Sequence, residues 1–373
     1  MMNRYLYILI TLATFLLASC APLKNADNTS HPETDITEKQ TINPFLAGLT
    51  EQELESIKVE AKRVYVSNWE RIANRSRYVR QPLVQALKQS NAPMELEMIP
   101  VVESSYNPYA RSEVGATGLW QLMPGTATDL RIKSNSQIDG RRDIATSTRG
   151  AARFLLKQYE RFGSWPLAFA AYHLGPNGVQ RRIDRHPWHH SDGLNKLPLP
   201  PITKTYIRHI LGLIALQQEG VISFPAPYPT TTVTIHSPVD LERLHATAGL
   251  PKNQLFRFNP QLVHMQYFKD RPKNLSLRIS QTRLDRINHI IPSRASDKLS
   301  IRVLHGEQIK DISKHYRVSV YTLKKANPKL AKGIRHGMRL HIPIKNLTRA
   351  RIADNPLIKP EPKTLAGNTV HRG

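Results

Sequence analysis

Apolar residues recur with helical spacing through the first part of this chain and lose that spacing after one proline-rich stretch, FPAPYP at 224–229. That switch limits the fold more than any other feature. Before it, Ala152, Leu155, Tyr159 and Phe162 fall on one face of a helix ending near Gly163, and Ile207, Ile210, Leu211 and Ile214 do the same before Gly220. Breaks rich in Gly, Pro and Asn separate these patterns at 115–118, 175–178 and 197–201. After it, TTTVTI (230–235) alternates as a strand does, a short helical pattern covers 241–244, and LFRFNPQL follows. A unit of similar order starts at Ile301 and reads strand, helix, helix, strand, with turns at Gly306, Asn327-Pro328 and Gly337. The expected fold is multidomain: an all-α domain whose loops line a groove, followed by small βααβ modules. The 373 residues leave room for two or three domains.

The amino terminus has another purpose. Met1-Met2-Asn3-Arg4 precedes an apolar run from Tyr5 to Ala18, too short to span a bilayer comfortably and typical of a secretory signal. Its boundary, Leu17-Ala18-Ser19-Cys20, resembles a bacterial lipobox and holds the one cysteine of the chain. The resemblance implies a signal peptide over 1–19, lipid on Cys20 and a polar tether over 20–43. Ala21 instead of Asp points to the outer membrane, facing the periplasm. With Cys20 lipidated no intrachain disulfide remains, so the domains are held by packing. The tail, 345–373, is basic and proline-containing and reads as disordered. Net charge is +24. Without a helix-turn-helix, zinc or RNA-binding signature, nucleic acid is not the expected partner; the charge reads equally as attraction to anionic cell wall and lipid headgroups or as general solubility with weak surface attraction.

Glu103 stands directly after Ile99, Val101 and Val102, an expensive place for a charge unless it ends a helix or holds a proton. Three further stretches accompany ESSYNPYA (103–110): GATGLWQLMPGTA (115–127), AFAAYHLGPNGV (168–179) and LPLPPITKTYIRHI (197–210). In order and spacing they resemble the lytic transglycosylase domain of the goose-lysozyme-like superfamily, over about 91–214. The domain is therefore expected at 91–222, with a helical lead-in at 44–90. The resemblance implies cleavage of the β-1,4 bond between N-acetylmuramic acid and N-acetylglucosamine in peptidoglycan glycan strands, with no cofactor and no metal. One glutamate, Glu103, gives a proton to the glycosidic oxygen and then, as carboxylate, takes one from the muramyl 6-hydroxyl, which closes a 1,6-anhydro ring. An acid working near neutral pH needs a pKa above the ordinary ~4.3, and apolar surroundings raise it. Glu113, the nearest other carboxylate in the motifs, reads as solvated.

The remaining roles come from the same resemblance. Ser104 bonds near the site, and Asn107-Pro108 turns the chain so that Glu103 faces a groove. Gln121 and Trp120 lie along the sugar, with Met123 beside them; core packing is the alternative for Trp120 and Met123. Tyr172 and Tyr206 lie beside the glutamate. Two positions depart from the family pattern: His173 stands where Asn is usual, and Ile202 where Glu is usual. The first alters the grip on the acetamido group or points into packing; the second puts the geometry around Tyr206 in question.

The unit at 299–344 resembles LysM, a carbohydrate-binding module, with Gly306, Glu307, Asn327 and Pro328 at its glycan groove. A βααβ domain with another ligand is the alternative. Residues 223–298 read as a linker and a degenerate copy. Three functions fit: an outer-membrane-anchored lytic transglycosylase, a catalytically weakened peptidoglycan-binding lipoprotein, or a hydrolytic muramidase.

Overall fold

Thr50 accepts from the Glu53 backbone while Glu53 reaches back to the Thr50 backbone, and this reciprocal cap starts α1 (Glu51–Tyr65). The computed structural model describes residues 43–236, 238–267, 274–291, 298–343 and 357–358. The signal sequence, Cys20, almost all of the tether and nearly all of the tail lie outside them. After α1 come α2 (Trp69–Gln89), α3 (Met98–Ser104), α4 (Pro124–Asp129), α5 (Ile144–Phe162), α6 (Trp165–Leu174), α7 (Pro176–Arg185) and α8 (Pro201–Gln218). Asp143 caps α5 and Ser164 caps α6 by accepting backbone N–H bonds, and Gly163, at φ 63°, ends α5 where the sequence pattern stopped. No described helix is long and apolar enough to cross a membrane.

α6 is buried on every side from Trp165 to His173, so it is the axis about which the other helices pack. α1 packs against α8, α2 against α5, and α5, α7 and α8 surround α6. One apolar core runs from Phe45 to Ile222. The boundary expected between 44–90 and 91–222 therefore does not exist as a break in packing. Gly212 shows why: a Cβ there would lie 2.4 Å from the carbonyl oxygen of Ile57, so α1 and α8 touch backbone to backbone.

The second unit comprises β1 (Thr230–His236), β2 (Val239–Asp240), α9 (Leu241–Thr247), α10 (Gln254–Phe258), β3 (Gln266–Tyr267), β4 (Asn274–Ser280) and α11 (Leu284–Asn288). β1 pairs antiparallel with β4, Val233 opposite Leu277, and β2 with β3. The third comprises β5 (Lys298–Arg302), α12 (Ile309–Tyr316), α13 (Val320–Ala326) and β6 (Arg339–Pro343), with Ile301 opposite Leu340. The two units share one lock. Asn259 gives its amide to the carbonyls of Leu255 and Arg278 and accepts from the Arg278 N–H. Asn327 repeats this with Leu323 and His341. NPQL and NPKL are thus the same structural signature, in which one buried Asn ties a helix end to the closing strand.

Candidate active site

α3 is short because its next residues refuse to continue it. Met98, Ile99, Pro100 and Val101 are buried, whereas Ser105 and Tyr106 take left-handed conformations at φ 49° and 59°. The reversal falls two residues earlier than the expected Asn107-Pro108, which forms a second turn in which Asn107 accepts from the Tyr109 N–H. Glu103 is left half-buried in the last turn of α3. Tyr206, almost wholly buried on α8, donates its hydroxyl to Glu103 Oε1 at 2.9 Å. His173 lies against Tyr206 (ring centroids 4.7 Å, 31°), with Nδ1 3.2 Å from the Thr203 hydroxyl. It serves the packing of that tyrosine. Ile202 is exposed at the start of α8, and the Tyr206–Glu103 bond is made without an acidic side chain there. Glu113 is exposed.

The loop 115–123 is built differently from the sequence reading. Trp120 is not on a sugar surface: it is fully buried and its indole N–H donates to Thr148 Oγ1 at 2.9 Å. Gln121, at φ 45°, spends its amide N–H groups on the carbonyls of Gly118 (2.8 Å) and Ala110 (3.2 Å), holding the turn shut. Tyr172 donates to the Trp120 carbonyl at 2.7 Å, so its proton braces this loop instead of facing developing charge. Ser104 Oγ reaches the carbonyls of Pro100 (3.1 Å) and Leu119 (3.0 Å) and joins α3 to the same turn. Met123, half-buried at the start of α4, is the member of the loop set that keeps an open face. Trp120 is taken up by the core, while the corrections at Gln121, Tyr172 and Ser104 share one cause. A loop carrying backbone at positive φ leaves polar backbone groups to satisfy, and the nearest side chains satisfy them.

Sequence reasoning missed two buried polar groups. Glu97, six positions before Glu103, is held bidentately by Arg80 (2.8 and 3.0 Å) and is a structural ion pair. Tyr65, from the end of α1, is buried with its hydroxyl 3.1 Å from His209 Nδ1, and the charges acting on it include Glu103. Tyr206 and His209 were three apart in the sequence, the one available signal that a helix face carried both. A hollow of about 410 Å³ between β1 and α11, lined by Thr232, Thr234 and Asn288, lies in the second unit and contains none of these groups. Among the described residues, no three His, Cys, Asp or Glu gather to hold a metal.

The proposed glycan residues of the third unit divide likewise. Gly306 and Pro328 are exposed. Glu307 is paired with the guanidinium of Arg243 in the second unit and accepts from the Leu304 N–H, and Asn327 is consumed by its backbone lock. Neither of these two is available to a sugar.

Residues 82–194, which include Glu103 and its loop, match the model of the Transglycosylase SLT domain. This segment is a transglycosylase SLT domain. Over 182 residues the chain is 32% identical to membrane-bound lytic murein transglycosylase D of Escherichia coli, covering 46% of this chain and 40% of that one. Over 83 residues it is 37% identical to the soluble lytic murein transglycosylase of the same organism, covering 21% and 13%. The solved lytic transglycosylase Slt of Pseudomonas aeruginosa, an inactive mutant, is 26% identical with a TM-score of 0.33, covering 39% of this chain and 25% of that one. The chain thus spans 40% of the first of these relatives. Tyr65, Tyr206 and His209 all lie outside the SLT match, so α8, not the matched segment, supplies the hydroxyl that meets Glu103, and the packing of α1 on α8 brings Tyr65 to His209.

Proposed function

We propose that this chain is a lytic transglycosylase of the bacterial cell envelope that cuts peptidoglycan glycan strands and leaves 1,6-anhydro-muramyl ends. The observation that carries the reading is the half-buried Glu103 in an SLT domain, held on one oxygen by the Tyr206 hydroxyl. Protonated Glu103 gives its proton to the glycosidic oxygen as the C1–O bond breaks, and the substrate's acetamido group supports the charge at C1. The resulting carboxylate takes the proton of the 6-hydroxyl while O6 bonds to C1. Atoms balance without water, and one carboxyl serves both steps. The Tyr206 bond fixes that carboxyl between them.

The anchoring of the chain by lipid on Cys20 to the outer membrane, and the reading of 299–343 as a LysM-type module, belong to the same proposal. The βααβ order and the Asn327 lock support the second. Its glycan surface is centred on Gly306 and Pro328, with Glu307 and Asn327 as its frame. Digestion of purified peptidoglycan by the chain without residues 1–20, read by mass spectrometry, tests the function. Anhydro-ended muropeptides are expected; reducing ends would establish a hydrolase, and no release a binding protein.

A further inference from the structure

Resting on the reading above that Glu103 carries the chemistry, we propose that Arg141 is a positioning residue for Glu103, through which the docked second unit holds the 115–123 turn against α3.

The second unit is fastened to the helical domain on two sides. On one side, the Tyr228 N–H, just before β1, donates to the Arg77 carbonyl at 2.8 Å, and Gln81 accepts the Thr230 N–H at 3.1 Å. The Tyr78 ring packs against Tyr228 and Phe258, with centroids 4.9 and 5.5 Å away, and Arg257 lies over it at 5.0 Å. The proline-rich stretch is therefore pinned to α2 at Tyr228. On the other side, an isolated β-bridge joins Ile138 to Leu262. The Asp139 N–H donates to the Gln261 carbonyl and the Val263 N–H to the Gln137 carbonyl, both at 2.9 Å. Segment 137–139 is thus held by its main chain, whatever its side chains do.

What the bridge fixes, Arg141 passes on. Its Nε and Nη2 bond the two oxygens of Asp139 at 3.1 and 2.9 Å, and its Nη1 donates to the Gly115 carbonyl at 3.0 Å. Burial pushes the Asp139 carboxyl up, but the bonds and charge of Arg141 outweigh it and hold the group below its ordinary range. The pair therefore stays ionised. A planar guanidinium serves a carboxylate and a carbonyl together; an ammonium on a flexible stem is a point donor and does not span both. The turn also rests on the main chain of Arg141, since a Cβ on Gly118 would lie 2.4 Å from the Arg141 carbonyl oxygen. From the turn, the Leu119 carbonyl takes the Ser104 hydroxyl at 3.0 Å, and Ser104 adjoins Glu103 in the last turn of α3. Every step from Leu262 to Glu103 is a hydrogen bond, a backbone contact or a stretch of chain. Arg141 and the turn lie within the matched SLT segment, whereas residues 261–263 lie beyond it.

The test joins amide hydrogen exchange to the kinetics of glycan release from soluble strands, both in the full chain. Arg141→Lys keeps a positive charge facing Asp139 and loses the fork. Exchange of the Thr117 and Leu122 amides, which pair across the turn, should quicken by about tenfold, as the loss of one hydrogen bond allows. The kcat should fall about tenfold or more with KM within about twofold, because the turn places the acid instead of gripping the sugar. Val263→Pro removes one N–H from the bridge without touching the turn, and should move both readouts the same way. Parental exchange and kcat in Arg141→Lys would overturn the proposal, since only neutralisation of Asp139 would then matter. A raised KM at parental kcat would overturn it too, and so would a Val263→Pro chain indistinguishable from the parent. If Val263→Pro does not fold, Tyr78→Ala, which loosens the second unit from α2, decides in its place. Exchange is read whether or not the chain cleaves. A parent that releases no glycan would defeat the functional reading and leave exchange alone to decide this one.

Discussion

At the scale of single residues, a side chain placed beside Glu103 by motif is not always aimed at it. Trp120, Gln121 and Tyr172 direct their hydrogens to Thr148, the carbonyls of Ala110 and Gly118, and the Trp120 carbonyl. Their identity was readable, their direction was not, because direction depends on which backbone groups of a strained turn, or side chains of the packed helix beside it, are left to be paired. Glu103→Gln keeps shape and cannot transfer a proton; glycan release should fall by about 10²–10⁴-fold with an unchanged melting temperature. Residual activity near the parental rate would remove Glu103 from the mechanism. Thr148→Val leaves the Trp120 indole N–H buried without its acceptor and should cost about 1–3 kcal/mol in thermal or denaturant unfolding.

At the scale of elements, the site depends on how closely α1 and α8 approach. Gly212 permits it, since any Cβ would lie 2.4 Å from the Ile57 carbonyl and 2.8 Å from the Ala61 methyl. Gly212→Ala should therefore separate the two helices, lower the melting temperature by several degrees and reduce glycan release, even though residue 212 itself bears no functional group. Equal melting and activity would show that the helices can slide apart freely. The sequence announced α8 by its apolar stripe, and it described α1 only as part of a helical lead-in. Only packing showed that Tyr65 and Glu60 of α1 meet His209 on the face of α8 that also carries Tyr206.

At the scale of the whole molecule, the units are fastened through named contacts. Tyr109, six residues beyond Glu103, donates to the Phe256 carbonyl at 2.6 Å, and backbone bonds join Asp139 to Gln261 and Val263 to Gln137. The second unit thus braces the loops that follow α3. Between the second and third units, Arg243 pairs with Glu307 while Asp240 accepts from Tyr316 and lies 3.4 Å from His315. Removing residues from 299 onward should weaken retention on insoluble peptidoglycan more than cleavage of soluble strands, because a binding module adds local concentration without chemistry. Equal losses would assign the unit to the catalytic groove. The hydrogen bond to Asp240 holds His315 above its ordinary pKa against partial burial. The contact is therefore complete below about 6.5 and fades as pH rises through the raised value, so amide exchange across 304–316 should quicken on that side, and His315→Gln should flatten the response. The sequence by itself determined the helical domain, the strand-containing units that follow it and the place of the loop beside Glu103, since apolar period, turn residues and motif order are local properties of the chain. The second unit carries one more strand pair, β2 and β3, than the expected βααβ order. Tertiary structure alone decided which polar groups face Glu103 and which close the turns, because a hydrogen bond between α1 and α8 is chosen by a packing distance that no local pattern encodes.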